Sequence, residues 1–500
     1  LRVGGKIMEK NLGDVVKDFS REAPDRDYIW WNGEWWSRKR FQDTVESIEK
    51  VLIEAGFKAG QRVVTLLPNC PLLLALSAAC WRQQGAVVPL NMLAGPQSLA
   101  RSIAHAEPFV IVVSEGVTPL GMETLKKVAV PVIAGNLLGT LPSFSGICQT
   151  PCDEDVAVLF YTSGTTGLPK AVPLTHGNIY SNIEAAAQHF SAFKPEECVM
   201  LNALPNFHTL GYSTSGLLPL LKGARQVVIP SFMPPERALQ AISAAGVNFI
   251  IGVPAMIALL VAAAAKGRIE VPRHISTIVS GGDRFPVSLD ERVRSIFGVN
   301  VMEGYGLTEC SPVVAVNPDS LRRKIGTVGT FLPGFEYELR DENNNPVPGK
   351  KEGILWLKGP SVVREYFRDP ENTALKFQNG WFDTGDLVRI DDEGYVTIVD
   401  RVSDIIIVGG FNVYPQEVEE ILTNYPGVKE AAVVGVSHSV SGQIVKAYII
   451  RSNPDITIKE LMSYCKGQLA HYKVPRIYKF VDDFPRNSLG KVLRRQLREG

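Results

Sequence analysis

Residues 156–170 read Val-Ala-Val-Leu-Phe-Tyr-Thr-Ser-Gly-Thr-Thr-Gly-Leu-Pro-Lys. Residues 156–160 are a short, unbroken apolar run bounded by a Gly- and Thr-rich stretch, the pattern of a strand buried on both faces. In the ten residues that follow, Gly164 and Gly167 let backbone N–H groups approach an anion. The hydroxyls of Thr162, Ser163, Thr165 and Thr166 add donors, and Lys170 adds a positive charge. The spacing is not G-x-x-x-x-G-K-[ST], so a P-loop is not implied. A strand running into such a loop points to a phosphate-bearing ligand.

Outward from this strand, β-rich runs alternate with helical patterns. Residues 62–67 predict a strand, 71–84 a helix and 86–89 a strand, with further strands at 109–113 and 130–133. Apolar strands separated by helices imply a parallel sheet covered on both faces. Beyond Gly326 the texture changes to hairpin-like strands, with turns at 341–345 and 391–394. A last unit reads as strand 405–408, helix 415–424, strands 430–436 and 443–450, helix 458–469 and a basic tail. The expected organisation is a large domain over 1–400 and a small one over 401–500.

The chain has 500 residues, too many for one hydrophobic core, so at least two domains are expected. Its 52 basic and 52 acidic side chains cancel, which argues against a polyanion partner and so against nucleic acid. It leaves room for one anionic small-molecule site. The seven cysteines include no CxxC pair, so a disulfide framework is not expected and a reducing, cytoplasmic location is. Cys148 and Cys152 alone are a poor zinc site. No signal peptide is visible, and residues 1–7, upstream of Met8, are set aside from the fold. Residues 247–265 are almost wholly apolar and about long enough to span a bilayer. Asn248, Gly252 and Pro254 interrupt them, so strand 247–251, a turn and helix 255–265 are expected instead of a transmembrane segment.

The 161–170 loop resembles the phosphate loop of the adenylate-forming superfamily, which includes acyl-CoA synthetases, peptide-synthetase adenylation domains and luciferases. Further elements stand in that family's order. They are Asn206-Phe207-His208, Ser280-Gly281-Gly282, Gly304-Tyr305-Gly306-Leu307-Thr308-Glu309, Thr384-Gly385-Asp386, Asp400-Arg401, Gly409-Gly410 and Gly490-Lys491. The resemblance covers nearly the whole chain and is nearest to fatty acyl-CoA ligases. It implies an α/β fold: a large N-terminal domain of layered, mostly parallel sheets and helices with a β-rich subdomain, and a small, mobile α+β C-terminal domain hinged near 401–404.

The resemblance implies a two-step reaction. A carboxylate attacks the α-phosphate of ATP, giving an acyl-adenylate and pyrophosphate; a thiol then displaces AMP. The first step joins two anions and needs fixed donors and positive charge. By resemblance, Thr162, Ser163, Gly164, Thr165, Thr166, Gly167 and Lys170 cradle phosphates. Thr162 and Glu309 hold Mg²⁺, and Thr308 touches the α-phosphate. Tyr305, between Gly304 and Gly306, stacks on adenine beside Gly282. Asp386 and Arg401 hold the ribose. His208 positions the acyl carboxylate, Lys491 stabilises the adenylation transition state, and Gly409 and Gly410 line a pantetheine tunnel. Ser403, where the family usually carries Lys or Asp, and Asp283-Arg284 depart from the pattern.

An amino-acid substrate would need a carboxylate to meet its ammonium. Residues 209–213 hold none, and residues 217–221 and 249–260 are aliphatic, which suits a fatty or other hydrophobic acid. Coenzyme A is the expected thiol, with the phosphopantetheine of an acyl carrier protein as the alternative acceptor. A non-catalytic nucleotide-binding protein and a luciferase-type oxygenase are the remote alternatives. A peripheral membrane contact is compatible with lipid substrates, but no basic amphipathic helix demands one.

Overall fold

The computed structural model describes residues 2–3, 6–7, 11–92, 94–114, 125, 130–146, 155–162, 170–190, 193–267, 271–408, 411–438, 442–488 and 490–499. Contacts divide the chain into two compact units. One comprises Leu1–Glu336 and Leu357–Phe382, the other Tyr337–Trp356 and Asp383–Gly500.

The first unit holds two layered sheets. A six-stranded sheet has the order Lys170–Thr175, Val156–Thr162, Ala86–Pro89, Arg62–Leu66, Val110–Ser114, Val132–Gly135. All its neighbours are parallel except the first pair. A nine-stranded sheet has the order Thr330–Phe331, Val313–Val316, Val301–Gly306, Thr277–Ser280, Phe249–Gly252, Val199–Asn202, Arg225–Val228, Asp27–Trp31, Glu34–Ser37. Its central strands, from Val301–Gly306 to Asp27–Trp31, run parallel. Every residue of Arg62–Leu66, Val199–Asn202, Phe249–Gly252 and Thr277–Ser280 is buried, as expected for parallel strands covered on both faces.

The helices follow from equally local causes. Pro71 opens the helix Pro71–Arg82, where its missing N–H costs nothing, and the helix is buried through Trp81. The apolar stretch near 247–265 resolves into strand Phe249–Gly252 and helix Pro254–Ala265. Among the described residues no helix is long and apolar enough to cross a membrane. Cys70, Cys80, Cys198, Cys310 and Cys465 are buried free thiols; Cys148 and Cys152 lie outside the described residues. The sequence pattern did not announce the π-helix Leu210–Leu217.

Strand Trp381–Ile390, in the second unit from Asp383 onward, pairs antiparallel with Val396–Arg401, with Asp386 opposite Arg401. Their turn forms because Asp391 Oδ1 accepts the N–H groups of Glu393 and Tyr395, each at 2.9 Å. Asp341 closes its own turn in the same way, through the N–H groups of Asn343 and Asn345. A separate sheet has the order Phe411–Val413, Ile406–Val408, Gly442–Arg451, Val428–His438, with Ile477–Phe480 parallel to Gly442–Arg451. Helices Pro415–Thr423 and Ile458–Gln468 contribute Val418, Leu422, Leu461 and Cys465 to its core. This α+β unit and the large layered unit form the α/β architecture that the sequence predicts.

One buried base gives the fold a pH signature. His176 opens the helix His176–His189, is 3% exposed, and accepts the Leu12 N–H on Nδ1 at 3.4 Å. Burial pushes its pKa down to about 4. The folded chain therefore keeps it neutral where an unfolded chain, with an ordinary histidine pKa of about 6.5, takes up a proton. Stability is full above that value and falls as the pH drops towards 4, by up to about 3 kcal/mol from this group. His176→Asn is expected to shrink the loss of melting temperature between pH 7 and pH 4.5; an unchanged loss would assign the acid sensitivity elsewhere.

Candidate functional site

The chemistry gathers at strand ends. In the nine-stranded sheet, His208 lies in the loop after Val199–Asn202, Val253 follows Phe249–Gly252, Gly281 follows Thr277–Ser280, and Tyr305 is the penultimate residue of Val301–Gly306. These are the C-terminal ends of four adjacent parallel strands, the edge where open α/β sheets bind ligands. Glycines let the loops approach. Gly282 has φ +84°, and a Cβ there would meet Val253 Cγ1 at 3.4 Å and Leu210 Cδ2 at 3.7 Å. A Cβ on Gly306 would stand 2.2 Å from the Pro312 carbonyl oxygen. Gly304 and Tyr305 pair with Val316 and Ala315.

The phosphate-loop residues Ser163, Gly164, Thr165, Thr166 and Gly167 lie outside the described residues, but both flanks are described. Thr162 and Lys170 are cross-strand partners. Tyr161 bonds His105 Nδ1 through its hydroxyl at 2.9 Å. Lys170 Nζ stands 4.7 Å over the Tyr366 ring. Burial, then the Lys376 charge, lowers the Lys170 pKa, against the opposing charges of Glu309 and Asp369. Tyr366 donates its hydroxyl proton to Glu309 Oε1 at 2.8 Å. Glu309 sits in the 3₁₀ turn Thr308–Cys310, and Thr308 Oγ1 accepts from the Thr209 hydroxyl at 3.1 Å. Lys170, Thr308, Glu309 and the His208–Thr209 loop thus belong to one connected set.

His208 Nδ1 accepts the Leu210 N–H at 3.2 Å, which leaves the proton of the neutral ring on Nε2. Burial pushes its pKa down to about 4, so near neutral pH it is a hydrogen-bond donor without charge. A network of amides holds its loop. Asn69 Oδ1 accepts the Asn206 N–H at 2.9 Å, and Asn69 Nδ2 donates to the Leu204 carbonyl at 2.8 Å. Asn202 Nδ2 donates to Gln226 Oε1 at 3.0 Å, and Asn206 Nδ2 donates to Asn202 Oδ1 at 3.0 Å. All four side chains are buried.

Asp283-Arg284 also acquires a reading. Glu303 Oε2 accepts the Phe285 N–H and Oε1 the Gly326 N–H, each at 3.3 Å. Burial raises the Glu303 pKa, while these two bonds and the Arg284 charge oppose it. Arg284 therefore favours the charged form of the carboxylate that ties its loop to the Tyr305 strand. The aliphatic residues Leu217, Leu218, Leu220 and Leu221 are packed core.

In the second unit, Asp386 is 1% exposed and pairs with Arg401 Nε at 3.1 Å. Its N–H donates to Thr384 Oγ1, whose hydroxyl donates to the Leu355 carbonyl. Lys491 is no loose tail residue. Its N–H donates to Asn487 Oδ1 and its carbonyl accepts the Asn487 N–H, each at 2.9 Å. The following helix Arg494–Glu499 packs through Leu497 beside Tyr448 and Phe484. Gly409 and Gly410 fall outside the described residues, between the paired strands Ile406–Val408 and Phe411–Val413. Ser403 carries no charge, but its neighbour Asp404 binds Arg498 at 2.7 Å and Arg494 at 3.9 Å. Arg498 Nη2 also donates to the Ser403 carbonyl at 3.2 Å.

Among the described residues no group of three or more His, Cys, Asp or Glu could cage a metal. Glu309 offers a carboxylate and Thr162 a hydroxyl, which donates to the Lys170 carbonyl at 3.4 Å; both are oxygen donors of the kind that Mg²⁺ takes. The sequence reading missed Tyr366, Glu303, the Thr209 contact with Thr308, and Asn69, Asn202 and Gln226 of the amide network. None has a local signature: Tyr366 precedes only a legible helix start, Asp369-Pro370.

The sequence signature of the AMP-binding enzyme family matches residues 16–367, and that of the AMP-binding enzyme C-terminal domain matches residues 417–491. The chain belongs to the AMP-binding enzyme family. A long-chain-fatty-acid–CoA ligase of Yersinia pestis is 36% identical over 353 residues, 69% of this chain. The match spans 62% of the length of that relative. A Bacillus subtilis (strain 168) protein of the same name is 30% identical over 536 residues, covering 99% of this chain and 95% of that one. Among solved structures, o-succinylbenzoate CoA synthetase from Bacillus subtilis, in complex with its acyl-adenylate intermediate, is similar with a TM-score of 0.85 at 28% identity, covering 99% of both chains.

Removing one buried amide leaves its partners unsatisfied, at a cost of about 1–3 kcal/mol. Asn69→Ala is therefore expected to lower the melting temperature and to speed hydrogen exchange at 204–209 more than in the six-stranded sheet. Uniform exchange across both regions would show that the network does not hold the His208 loop.

Proposed function

We propose that this member of the AMP-binding enzyme family is an ATP-dependent acid–thiol ligase. It activates a hydrophobic carboxylic acid, of the fatty acid class, as an acyl-adenylate and then passes the acyl group to coenzyme A. The observation that carries the reading is the connected set of Lys170, Tyr366, Glu309, Thr308 and Thr209 flanking the phosphate loop. Two anions must meet for a carboxylate to attack a phosphate, and this set supplies an ammonium, hydroxyl donors and a metal-binding carboxylate. The names of the relatives support the fatty acid class, as does the absence of an acidic partner for an ammonium in residues 209–213.

In the first step, the phosphate loop and Lys170 hold the β- and γ-phosphates, and Thr308 meets the α-phosphate. Mg²⁺, when bound by Glu309 and Thr162, supplies charge neutralisation at the phosphate oxygens. The neutral His208 donates from Nε2 to the acyl carboxylate and fixes its approach. Tyr305 stacks on adenine, and Asp386 with Arg401 accepts and orients the ribose hydroxyls. Lys491 places its ammonium on the charge that develops between carboxylate and phosphate. In the second step the thiol reaches the acyl carbon past Gly409 and Gly410, and AMP leaves. The exchange of Lys491 for the glycine loop needs the small domain, 401–500, to turn about 401–404 against 1–400. The Asp404 pairs with Arg494 and Arg498 tie that hinge to the segment that bears Lys491. An acyl carrier protein is the alternative thiol donor, and a cytoplasmic location suits the free thiols.

Partial reactions test the assignment. Lys491→Ala is expected to slow acyl-adenylate formation by about 10²–10³-fold while largely sparing thioester formation from supplied acyl-adenylate. Gly409→Leu is expected to do the reverse. Equal losses in both steps for either variant would contradict the division of labour.

A further inference from the structure

We propose that Tyr366 is a positioning residue that aims the Glu309 carboxylate at a divalent cation with its hydroxyl and seats the Lys170 ammonium with its ring. The proposal rests on the reading of Glu309 as a metal contact and extends it to a residue outside every motif quoted above.

Hydrogen bonds tie the segment that bears Tyr366 to the elements that carry both groups it touches. On one side, Val363 N–H donates to the Glu309 carbonyl at 2.9 Å, and Ser311 Oγ donates to the Ser361 carbonyl at 2.8 Å. These fix the segment around 361–366 to the turn that carries Glu309. On the other side, Phe367 N–H donates to the Ala171 carbonyl at 2.8 Å, fixing the same segment to the strand that begins with Lys170. Tyr366 N–H donates to Thr373 Oγ1 at 3.0 Å. Its ring is 3% exposed and meets Phe377 edge-on at 5.4 Å, and Phe377 stacks on Phe382. A ring locked in this way presents its hydroxyl and its face in set directions.

The two contacts have complementary chemistry. A neutral hydroxyl donating to Oε1 leaves the charge of Glu309 intact and limits the rotation of the carboxyl group. The ring face attracts the Lys170 ammonium without neutralising it. Tyr366 thus orders an anion and a cation beside each other, so that the cation stays available for phosphate and the anion for metal. Hydrogen-bond partners of metal ligands typically alter metal affinity by about 10–100-fold when removed.

The test measures Mn²⁺, as a probe for Mg²⁺, binding to the full chain with a non-hydrolysable ATP analogue by electron paramagnetic resonance. Tyr366→Phe keeps the ring and loses only the hydroxyl. It is expected to bind Mn²⁺ about 10–100-fold more weakly, with its metal-free nucleotide affinity unchanged. Tyr366→Leu, which also loses the ring, is expected to weaken metal-free nucleotide binding as well. Unchanged Mn²⁺ affinity in Tyr366→Phe, with or without a drop in melting temperature, would overturn the proposal while leaving the ligase reading standing. Failure of the unaltered chain to bind Mn²⁺ with nucleotide would instead remove Glu309 as a metal contact, and the proposal with it.

Discussion

A parallel strand buried on both faces can offer chemistry only at its ends, and the candidate site depends on that constraint. The interior positions of Val199–Asn202, Phe249–Gly252 and Thr277–Ser280 are committed to packing. Their following residues, with those ending Val301–Gly306, converge as loops at one edge. Glycine is needed there for two reasons: the φ of +84° at Gly282 and the close approach of the Pro312 carbonyl at Gly306. Because the loops are also partly buried, their polar groups need partners, which Asn69, Asn202, Asn206 and Gln226 provide beneath the His208 loop.

The same economy governs charge. His208 is kept neutral by burial, burial also raises the Glu303 pKa against two N–H groups and the Arg284 charge, and Glu309 and Lys170 share Tyr366. Among the described residues, His208, Glu303, Glu309 and Lys170 each have a defined partner before any ligand arrives. Fixed dipoles of this sort need no reorganisation when charge moves, which is the property that catalysis of anion–anion attack requires.

Much of this was legible in the sequence because it is local. A Gly/Thr-rich loop after an apolar run stands out by its residues alone, whereas Tyr-Gly-Leu-Thr-Glu and Thr-Gly-Asp take on meaning only through the family resemblance of the whole ordered set. The alternation around 62–89 is also local, and its strands and helix stand where periodicity placed them. What stayed hidden is non-local. Tyr366 reaches Glu309 across 57 positions, and Asn69 reaches Asn206 across 137. No propensity marks either residue. The π-helix Leu210–Leu217 was hidden for a different reason: an apolar, Gly- and Ser-bearing run does not distinguish one helical pitch from another. The ion pairs of Asp404, next to Ser403, were hidden by distance along the chain, since their partners Arg498 and Arg494 lie near its end.

The central claim is that this site joins a hydrophobic acid to a thiol through an adenylate. Its most direct test is pyrophosphate release from ATP and Mg²⁺ across a panel of short, long-chain, aromatic and amino acids, each with and without coenzyme A. The account predicts release that rises with the long-chain acids and turns over rapidly only when coenzyme A is present. Release with no acid in the panel, or strongest with amino acids and indifferent to coenzyme A, would contradict it.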